Sequence, residues 1–147
     1  MTDTSIESSK HFSKSELACK CCGDAQMDED FMDRLELLRM AYDRPMKVSS
    51  AYRCPDHNTE VSKTGNTGPH TTGRAIDIAV MGREVYDLLK MATVEGFTGI
   101  GIKQNGAHEY RFIHLDDLPP IKGRPRPWVW SYCWAIYSLS RTRNASR

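Results

Sequence analysis

The 147-residue sequence has no run of about 18 apolar residues, so no transmembrane helix and no stable membrane insertion are expected. It also lacks an excess of positive charge, since 20 Lys and Arg residues oppose 19 Asp and Glu residues. Nucleic-acid binding depends on clustered positive charge, so this balance disfavours a nucleic-acid partner. The N-terminal stretch MTDTSIESSKHFSKSE lacks the apolar segment of a secretory signal, which predicts synthesis in a cytoplasm.

Cysteine is present in an odd number, five, so a complete disulfide framework is not implied. Apolar residues make up 39% and charged residues 27%, a globular composition that suits one domain. We place that domain at residues 12–132, between a frayed N-terminus at 1–11 and an appended tail at 133–147. A monomer is expected.

Hydrophobic periodicity predicts the secondary structure. Apolar residues at helical spacing predict a helix over 28–42 capped by Asp28, and a second helix over 82–95. Residues 46–51 and 75–80 are typical of short strands, and Pro55 is placed to begin a short helix. Two further apolar runs flank Asn105–Gly106, which indicates a hairpin. This order favours an α+β fold with a small, mostly antiparallel sheet and flanking helices.

Three residues form a candidate zinc site: His70, Asp77 and His114. Zinc accepts imidazole nitrogen and carboxylate oxygen, and a catalytic site leaves a fourth position open. Side chains alternate along strands, so Asp77 shares a face with small residues, while His114 and Asp116 share a face of the hairpin. Pairing of these strands would bring Asp77 to His114, and the glycine-rich loop at 64–74 would fold His70 over them. Spacing alone leaves open a loop histidine, a solvated aspartate and a satisfied hairpin histidine.

The motifs around these residues resemble the zinc D-Ala-D-Ala carboxypeptidase family, including its phage endolysin branch, whose fold is shared with the hedgehog signalling domain. They are SAYR at 50–53, PHTTGRAID at 69–77 and IHLD at 113–116. The resemblance covers about residues 12–132. It implies Zn²⁺ held by His70, Asp77 and His114, with a peptidoglycan stem peptide as substrate.

The catalytic base does not transfer directly from that family. Some members carry an acidic residue three positions before the last histidine, where this sequence has Arg111. Asp116 and Glu109 remain as candidates to take a proton from the attacking water, and Asp116 is slightly favoured. The alternative for Asp116 is a carboxylate that orients a ligand histidine, and for Glu109 a solvated turn residue.

Three further residues are predicted to meet the substrate. Arg53 resembles the family arginine that stabilises the oxyanion or holds a substrate carboxylate, roles that suit its planar fork. Tyr52 and His108 are predicted substrate contacts. A surface ion pair is the alternative for Arg53.

The cluster of Cys19, Cys21 and Cys22, with the distant Cys54, is interpreted as reduced, partly buried thiols. A structural zinc site is disfavoured because such sites show paired C-x-x-C spacing, which three thiols in a C-x-C-C run and a distant fourth do not give. A Cys22–Cys54 disulfide is a further alternative.

The leading hypothesis is therefore a zinc peptidase of peptidoglycan stem peptides, with phage or prophage lysis as its role. It would act on the cell wall or periplasm after release, or from a virion. The bond remains open between D-Ala-D-Ala carboxypeptidase, D,D-endopeptidase and L-alanyl-D-glutamate endopeptidase activity. The alternatives are a non-catalytic, zinc-containing wall-binding module and a phage structural protein.

Overall fold

The structure, a computed structural model, describes residues 4–132. Helices and strands alternate up to residue 103, two further strands then follow, and no doubly wound parallel sheet forms within the described residues. In chain order they are β1 (Ser5–Ile6), α1 (Lys14–Leu17), β2 (Met27–Asp28), α2 (Glu29–Tyr42), β3 (Lys47–Ser50), α3 (Pro55–Val61), β4 (Ala75–Ala79), α4 (Arg83–Val94), β5 (Gly99–Lys103), β6 (Phe112–Asp116) and β7 (Trp128–Ser131).

The main sheet has five strands in the order β3-β4-β6-β5-β7. The first three pairings are antiparallel, and only β5 and β7 run parallel. The predicted α+β fold with a mostly antiparallel sheet is confirmed. β4 and β6 lie next to each other near the centre of this sheet, so their side chains can meet across the strands.

The helix α2 begins and packs as its sequence predicts. The Asp28 carboxylate accepts a hydrogen bond of 2.9 Å from the Phe31 backbone N–H, which caps the first turn. Phe31 and Leu38 lie on the apolar stripe and are fully buried. Burial of such a side chain stabilises the fold by about 1.5–3 kcal/mol, so this stripe fixes α2 against the core.

The two strands that carry the candidate ligands alternate between the core and the opposite face. Ile76 and Ile78 of β4 and Ile113 of β6 are buried in the hydrophobic core. Asp77 and His114 point to the opposite face, as their strand positions predict. That face is covered as well, because Asp77 and His114 are only 5% and 3% exposed.

Two segments show detail that the local sequence pattern did not include. Within residues 4–11, β1 pairs with β2, and the Ser9 hydroxyl and His11 backbone N–H both donate to Glu36. The hairpin between β5 and β6 forms, but its connection spans residues 104–111 and holds a 3₁₀ turn at His108–Tyr110. The Asn105–Gly106 pair therefore lies within a longer loop.

The glycine-rich segment predicted as a loop contains two 3₁₀ turns, Gly65–Thr67 and Pro69–Thr72. Gly73 ends the second with a φ of 74°, and a Cβ there would lie 2.2 Å from the Gln26 carbonyl oxygen. Glycine is thus required where this segment turns into β4. Among residues 4–132, no helix combines the length and apolar character needed to cross a membrane. The tail at 133–147 falls outside the described residues.

Candidate metal centre

The strand register and the 3₁₀ turn bring the three predicted ligands together. Asp77 of β4 pairs directly with His114 of β6. His70 lies on the 3₁₀ turn Pro69–Thr72, just before β4, and its ring meets that of His114 edge to face with centroids 5.0 Å apart. Sequence-distant side chains therefore converge on one buried point.

The donor atoms at this point form a nearly equilateral triangle. His114 Nδ1 lies 3.0 Å from Asp77 Oδ1 and 3.2 Å from His70 Nε2, and His70 Nε2 lies 3.3 Å from Asp77 Oδ1. Tetrahedral ligands that lie about 2.0–2.1 Å from zinc stand roughly 3.3 Å apart. The residues present therefore fit a three-ligand zinc site.

Each histidine is oriented by a hydrogen bond from its other ring nitrogen. His70 Nδ1 donates to the Ala51 carbonyl oxygen at 2.7 Å, which leaves Nε2 as the free donor atom. His114 Nε2 donates to Asp116 Oδ2 at 2.8 Å, which leaves Nδ1 facing the triangle. Such partners fix the tautomer and raise the basicity of a metal-binding imidazole.

Asp116 lies behind His114, on the side of the ring away from the triangle. Its carboxylate is fully buried and accepts a bidentate pair from Arg126, with Nε–Oδ1 at 2.9 Å and Nη2–Oδ2 at 2.7 Å. Burial raises the pKa of Asp116, but His114 and Arg126 outweigh it and lower the pKa to about 2. This geometry places Asp116 where it can orient His114 and separates it from a water bound at the triangle.

Arg53 contacts the outer oxygen of the ligand carboxylate. Its Nη2 donates to Asp77 Oδ2 at 3.3 Å, its Nε to Ser50 Oγ at 3.0 Å, and its Nη1 to Asn58 Oδ1 at 3.2 Å. These contacts hold the guanidinium against Asp77. A guanidinium has five N–H donors, and three are used here within the described residues.

The remaining predicted site residues lie elsewhere. Glu109 and His108 are exposed on the loop between β5 and β6, where they line a shallow depression with Lys47 and Glu84. None of the triangle residues lines that depression. Tyr52 is packed in the hydrophobic core and is only 7% exposed. The structure thus brings Arg53 to the candidate ligands, and it places Glu109, His108 and Tyr52 in other surroundings.

Charge is concentrated at the triangle. Burial raises the pKa of Asp77, but the neighbouring His70 and His114 imidazoles outweigh it and lower the pKa well below its usual range. Burial lowers the pKa of His114, whereas hydrogen bonds with Asp116 and Asp77 outweigh it and raise the pKa. The site therefore stabilises a positive charge among these atoms, either a proton on the imidazole or a divalent cation.

Two glycines of β5 make room for the groups around His114. Gly99 pairs with Asp116, and a Cβ on Gly99 would lie 2.3 Å from the Asp116 carboxylate oxygens. Gly101 pairs with His114, and a Cβ there would lie 2.7 Å from the Trp130 indole. Both positions need the small residue because a neighbouring side chain occupies the space of a methyl group.

The sequence interpretation missed the residues that β7 and its preceding loop contribute. Trp130 packs against the His114 ring with centroids 5.1 Å apart, and the Arg126 guanidinium lies 5.2 Å from the Trp130 ring centroid. Burial, followed by the Asp77 charge, raises the pKa of Tyr132 to about 12, so its hydroxyl stays a donor. The signal that could have led to Arg126 was the HLD motif at 114–116, because a buried Asp116 carboxylate requires a cationic partner.

A second group of ligand-type side chains lies apart from the triangle. The Sγ atoms of Cys19, Cys21, Cys22 and Cys54 all lie within 4.8 Å of one another. All four cysteines are free thiols in the structure. Cys19 and Cys22 form one C-x-x-C spacing, followed by Gly23, but no second such pair accompanies it, so the chain fold rather than paired spacing brings Cys54 to the other three thiols.

Comparison with known proteins identifies a family. The family model described as Peptidase M15 matches residues 10–116. The match includes the three triangle residues and Asp116, and it ends before Arg126 and Trp130. A search of curated proteins returns no match to the chain.

Proposed function

The chain belongs to the peptidase M15 family of zinc peptidases, and we propose that it hydrolyses peptide bonds in the stem peptides of bacterial peptidoglycan. The triangle of His70 Nε2, Asp77 Oδ1 and His114 Nδ1, with edges of 3.0–3.3 Å, is the observation that carries the proposal. Two imidazoles and a carboxylate leave one tetrahedral position for water or substrate, as a catalytic zinc site requires. We propose that the chain acts as a monomer.

A zinc ion held by His70, Asp77 and His114 would supply Lewis-acid chemistry, which polarises a scissile carbonyl and lowers the pKa of a water ligand towards ~7. The chain supplies the rigid frame for this chemistry. Ala51 and Asp116 hold the His70 and His114 rings in the tautomers that expose the donor atoms, and Arg126 holds Asp116 in turn. Positioning residues of this kind typically contribute about 10–100-fold in metal affinity or activity.

Arg53 is the residue best placed to bind the substrate near the ligands. It already contacts Asp77 Oδ2, and its side chain keeps 16% of its surface exposed. Its two remaining N–H donors suit a carboxylate of the stem peptide or the oxygen of the scissile carbonyl. We therefore propose Arg53 as a substrate-binding residue and Asp116 as a positioning residue for His114.

We further propose that the protein is made in a cytoplasm and reaches the cell wall or periplasm by release or on a virion. The resemblance to the phage endolysin branch supports a lytic role. The scissile bond remains a choice between carboxypeptidase and endopeptidase cleavage.

One observation favours a second candidate function, a zinc-containing module that binds the wall without cutting it. Asp116 is turned away from the triangle, and Glu109 lines a depression that contains none of the triangle residues. Position 111, where some family members carry an acidic residue, holds an arginine that donates to the Gly106 carbonyl. A chain without a positioned base would keep the metal and lose hydrolysis.

Digestion of purified peptidoglycan, followed by mass spectrometry of the released products, decides between the two functions. Wild type, chelator-treated protein and His70→Ala are compared with His57→Gln, a matched control on α3. Products bearing new amino termini, formed only by wild type and His57→Gln, identify an endopeptidase, and released D-Ala alone identifies a carboxypeptidase. The absence of products from folded, zinc-loaded wild type would overturn the peptidase and favour the binding module.

A further inference from the structure

The four clustered cysteines come from two separate parts of the chain. Cys19, Cys21 and Cys22 lie in the turn that follows α1, and Cys54 directly precedes α3. Cys21 and Cys22 are exposed, Cys54 is intermediate and Cys19 is buried. Thiols separated by more than thirty positions converge here without forming a disulfide among residues 4–132.

The spacing of the sulfur atoms matches a tetrahedral metal site. Cys19 Sγ lies 3.7 Å from both Cys21 Sγ and Cys54 Sγ, and Cys21 Sγ lies 3.3 Å from Cys54 Sγ. Four thiolates about 2.3 Å from one zinc ion stand roughly 3.8 Å apart. A disulfide needs about 2.05 Å, so small movements suffice for a metal whereas a bond requires a larger approach.

Backbone hydrogen bonds hold Cys19, Cys21 and Cys22 in a tight turn. The Cys19 N–H donates to the Asp24 carbonyl at 2.7 Å, and the Gly23 N–H donates to the Cys19 carbonyl at 2.9 Å. Gly23 has a φ of 79°, which closes the turn directly after Cys22. The Cys54 backbone N–H donates to Cys19 Sγ at 3.4 Å, as suits a sulfur that carries negative charge.

We propose that Cys19, Cys21, Cys22 and Cys54 bind a second zinc ion in a closed, four-thiolate structural site. Tetrahedral sulfur ligands select zinc or iron. Zinc is the better occupant because two of the thiolates are exposed, and zinc has no redox chemistry to be disturbed by solvent or oxygen. Four protein ligands leave no position for water or substrate, so the role is structural.

The position of this site suggests what it stabilises. Residues 51–54 run from the Ala51 carbonyl, which orients His70, to Cys54. Along this segment the Tyr52 N–H donates to Leu17 and the Arg53 N–H donates to the His70 carbonyl. A metal at Cys54 would anchor the segment that carries Arg53 and supports His70.

Zinc counting on the purified, intact chain tests the inference without an activity assay. We expect about two zinc ions per wild-type chain and one in the Cys21→Ser/Cys22→Ser double variant, since one four-thiolate site and one triangle are present. Both substituted side chains are exposed, so the replacement removes ligands without opening the core. Cys133→Ser, which changes the fifth cysteine, is the matched control and keeps both ions.

The same series separates this inference from the proposed function. His70→Ala is expected to remove the triangle ion and to leave the four-thiolate ion, so each variant reports on one site. One zinc in wild type that is lost in His70→Ala and retained in the double variant overturns the thiolate site alone. One zinc that is lost only in the double variant overturns the triangle alone. Zinc replaced by iron, or a Cys21–Cys54 disulfide found by thiol titration of wild type, also overturns the inference.

Discussion

The triangle and the four-cysteine cluster are two convergent ligand sets built on different supports. The triangle is carried by β4, β6 and an adjoining 3₁₀ turn, and its residues are at most 5% exposed. The cysteine cluster is carried by an irregular turn and the start of α3, and two of its four thiols are exposed.

The difference between the two lies in what surrounds the ligands. Each triangle ligand has a second partner, namely the Ala51 carbonyl for His70, Arg53 for Asp77 and Asp116 for His114. Around Cys19, the support is the Cys54 backbone N–H, which donates to Sγ at 3.4 Å. A three-ligand site needs an oriented frame because one position must stay open, whereas four thiolates define their own geometry.

Removal of a triangle ligand is expected to have the largest effect. His114→Ala eliminates one donor atom and leaves Asp116 and Arg126 without the imidazole between them and the metal. We expect peptidoglycan hydrolysis to fall to the level of chelator-treated protein while the thiolate zinc stays bound. Product analysis together with zinc counting checks this. Hydrolysis that survives in His114→Ala would show that the triangle is not the catalytic centre.

Arg126→Met is expected to cost the most stability. It leaves the fully buried Asp116 carboxylate without its bidentate partner, whose own side chain is 4% exposed. Breaking a buried pair in this way costs about 3–5 kcal/mol. Denaturant unfolding measures the loss, with Arg124→Met, whose side chain bonds only the Pro119 carbonyl among the contacts described, as the matched control. Equal unfolding free energies in the two variants would show that the pairing of Arg126 with Asp116 does not stabilise the fold.

Asp116→Asn distinguishes a positioning role of Asp116 from a role as the catalytic base. The amide can hold its place but weakens the bond to His114 Nε2, so we expect a roughly 10–100-fold loss of zinc affinity at the triangle. Hydrolysis at saturating zinc should largely recover. A variant that keeps wild-type zinc affinity but loses hydrolysis at every pH would instead identify Asp116 as the base.

Substitution of the two β5 glycines tests whether Asp116 or Trp130 positions His114. Gly99→Ala directs a methyl group at the Asp116 carboxylate, and Gly101→Ala directs one at the Trp130 ring. Each overpacked contact is expected to cost about 1–3 kcal/mol of unfolding free energy. Zinc affinity of the triangle should fall mainly in Gly99→Ala. The opposite order would mean that Trp130, rather than Asp116, positions His114.

The smallest expected effect lies outside both sites. Burial raises the pKa of Glu36, but hydrogen bonds from Ser9 and His11 outweigh it and lower the pKa below its usual value. The stability from this ionised group is therefore present above about pH 4.3 and lost as pH falls through the lowered pKa. We expect Glu36→Gln to lose about 1 kcal/mol at pH 7 and to converge with wild type at an acidic pH below the lowered pKa.

Unfolding curves at the two pH values measure this effect. Asp33→Asn, on an exposed face of the same helix, is the control and should not change the pH dependence. A constant difference between Glu36→Gln and wild type across this range would contradict the linkage.

Much of the fold follows from local patterns. The Asp28 cap, the apolar stripe of α2 and the alternation in AIDIAV predicted α2 and β4 closely. The triangle was predictable because alternation placed Asp77 and His114 on matching faces and the glycine-rich loop before Asp77 carried His70, and the motif resemblance then implied all three as ligands. Local patterns do not show which distant strands pair. The roles of Arg126, Trp130 and the two glycines therefore follow only from the register of β5, β6 and β7.

X-ray absorption at the zinc edge of the purified wild-type protein tests most directly whether one chain holds two ligand sets of different chemistry. We predict two shells, nitrogen and oxygen at about 2.0–2.1 Å and sulfur at about 2.3 Å, with only the sulfur shell left in His70→Ala. A single nitrogen and oxygen shell would contradict the thiolate site. A sulfur shell alone in wild type would contradict the catalytic triangle.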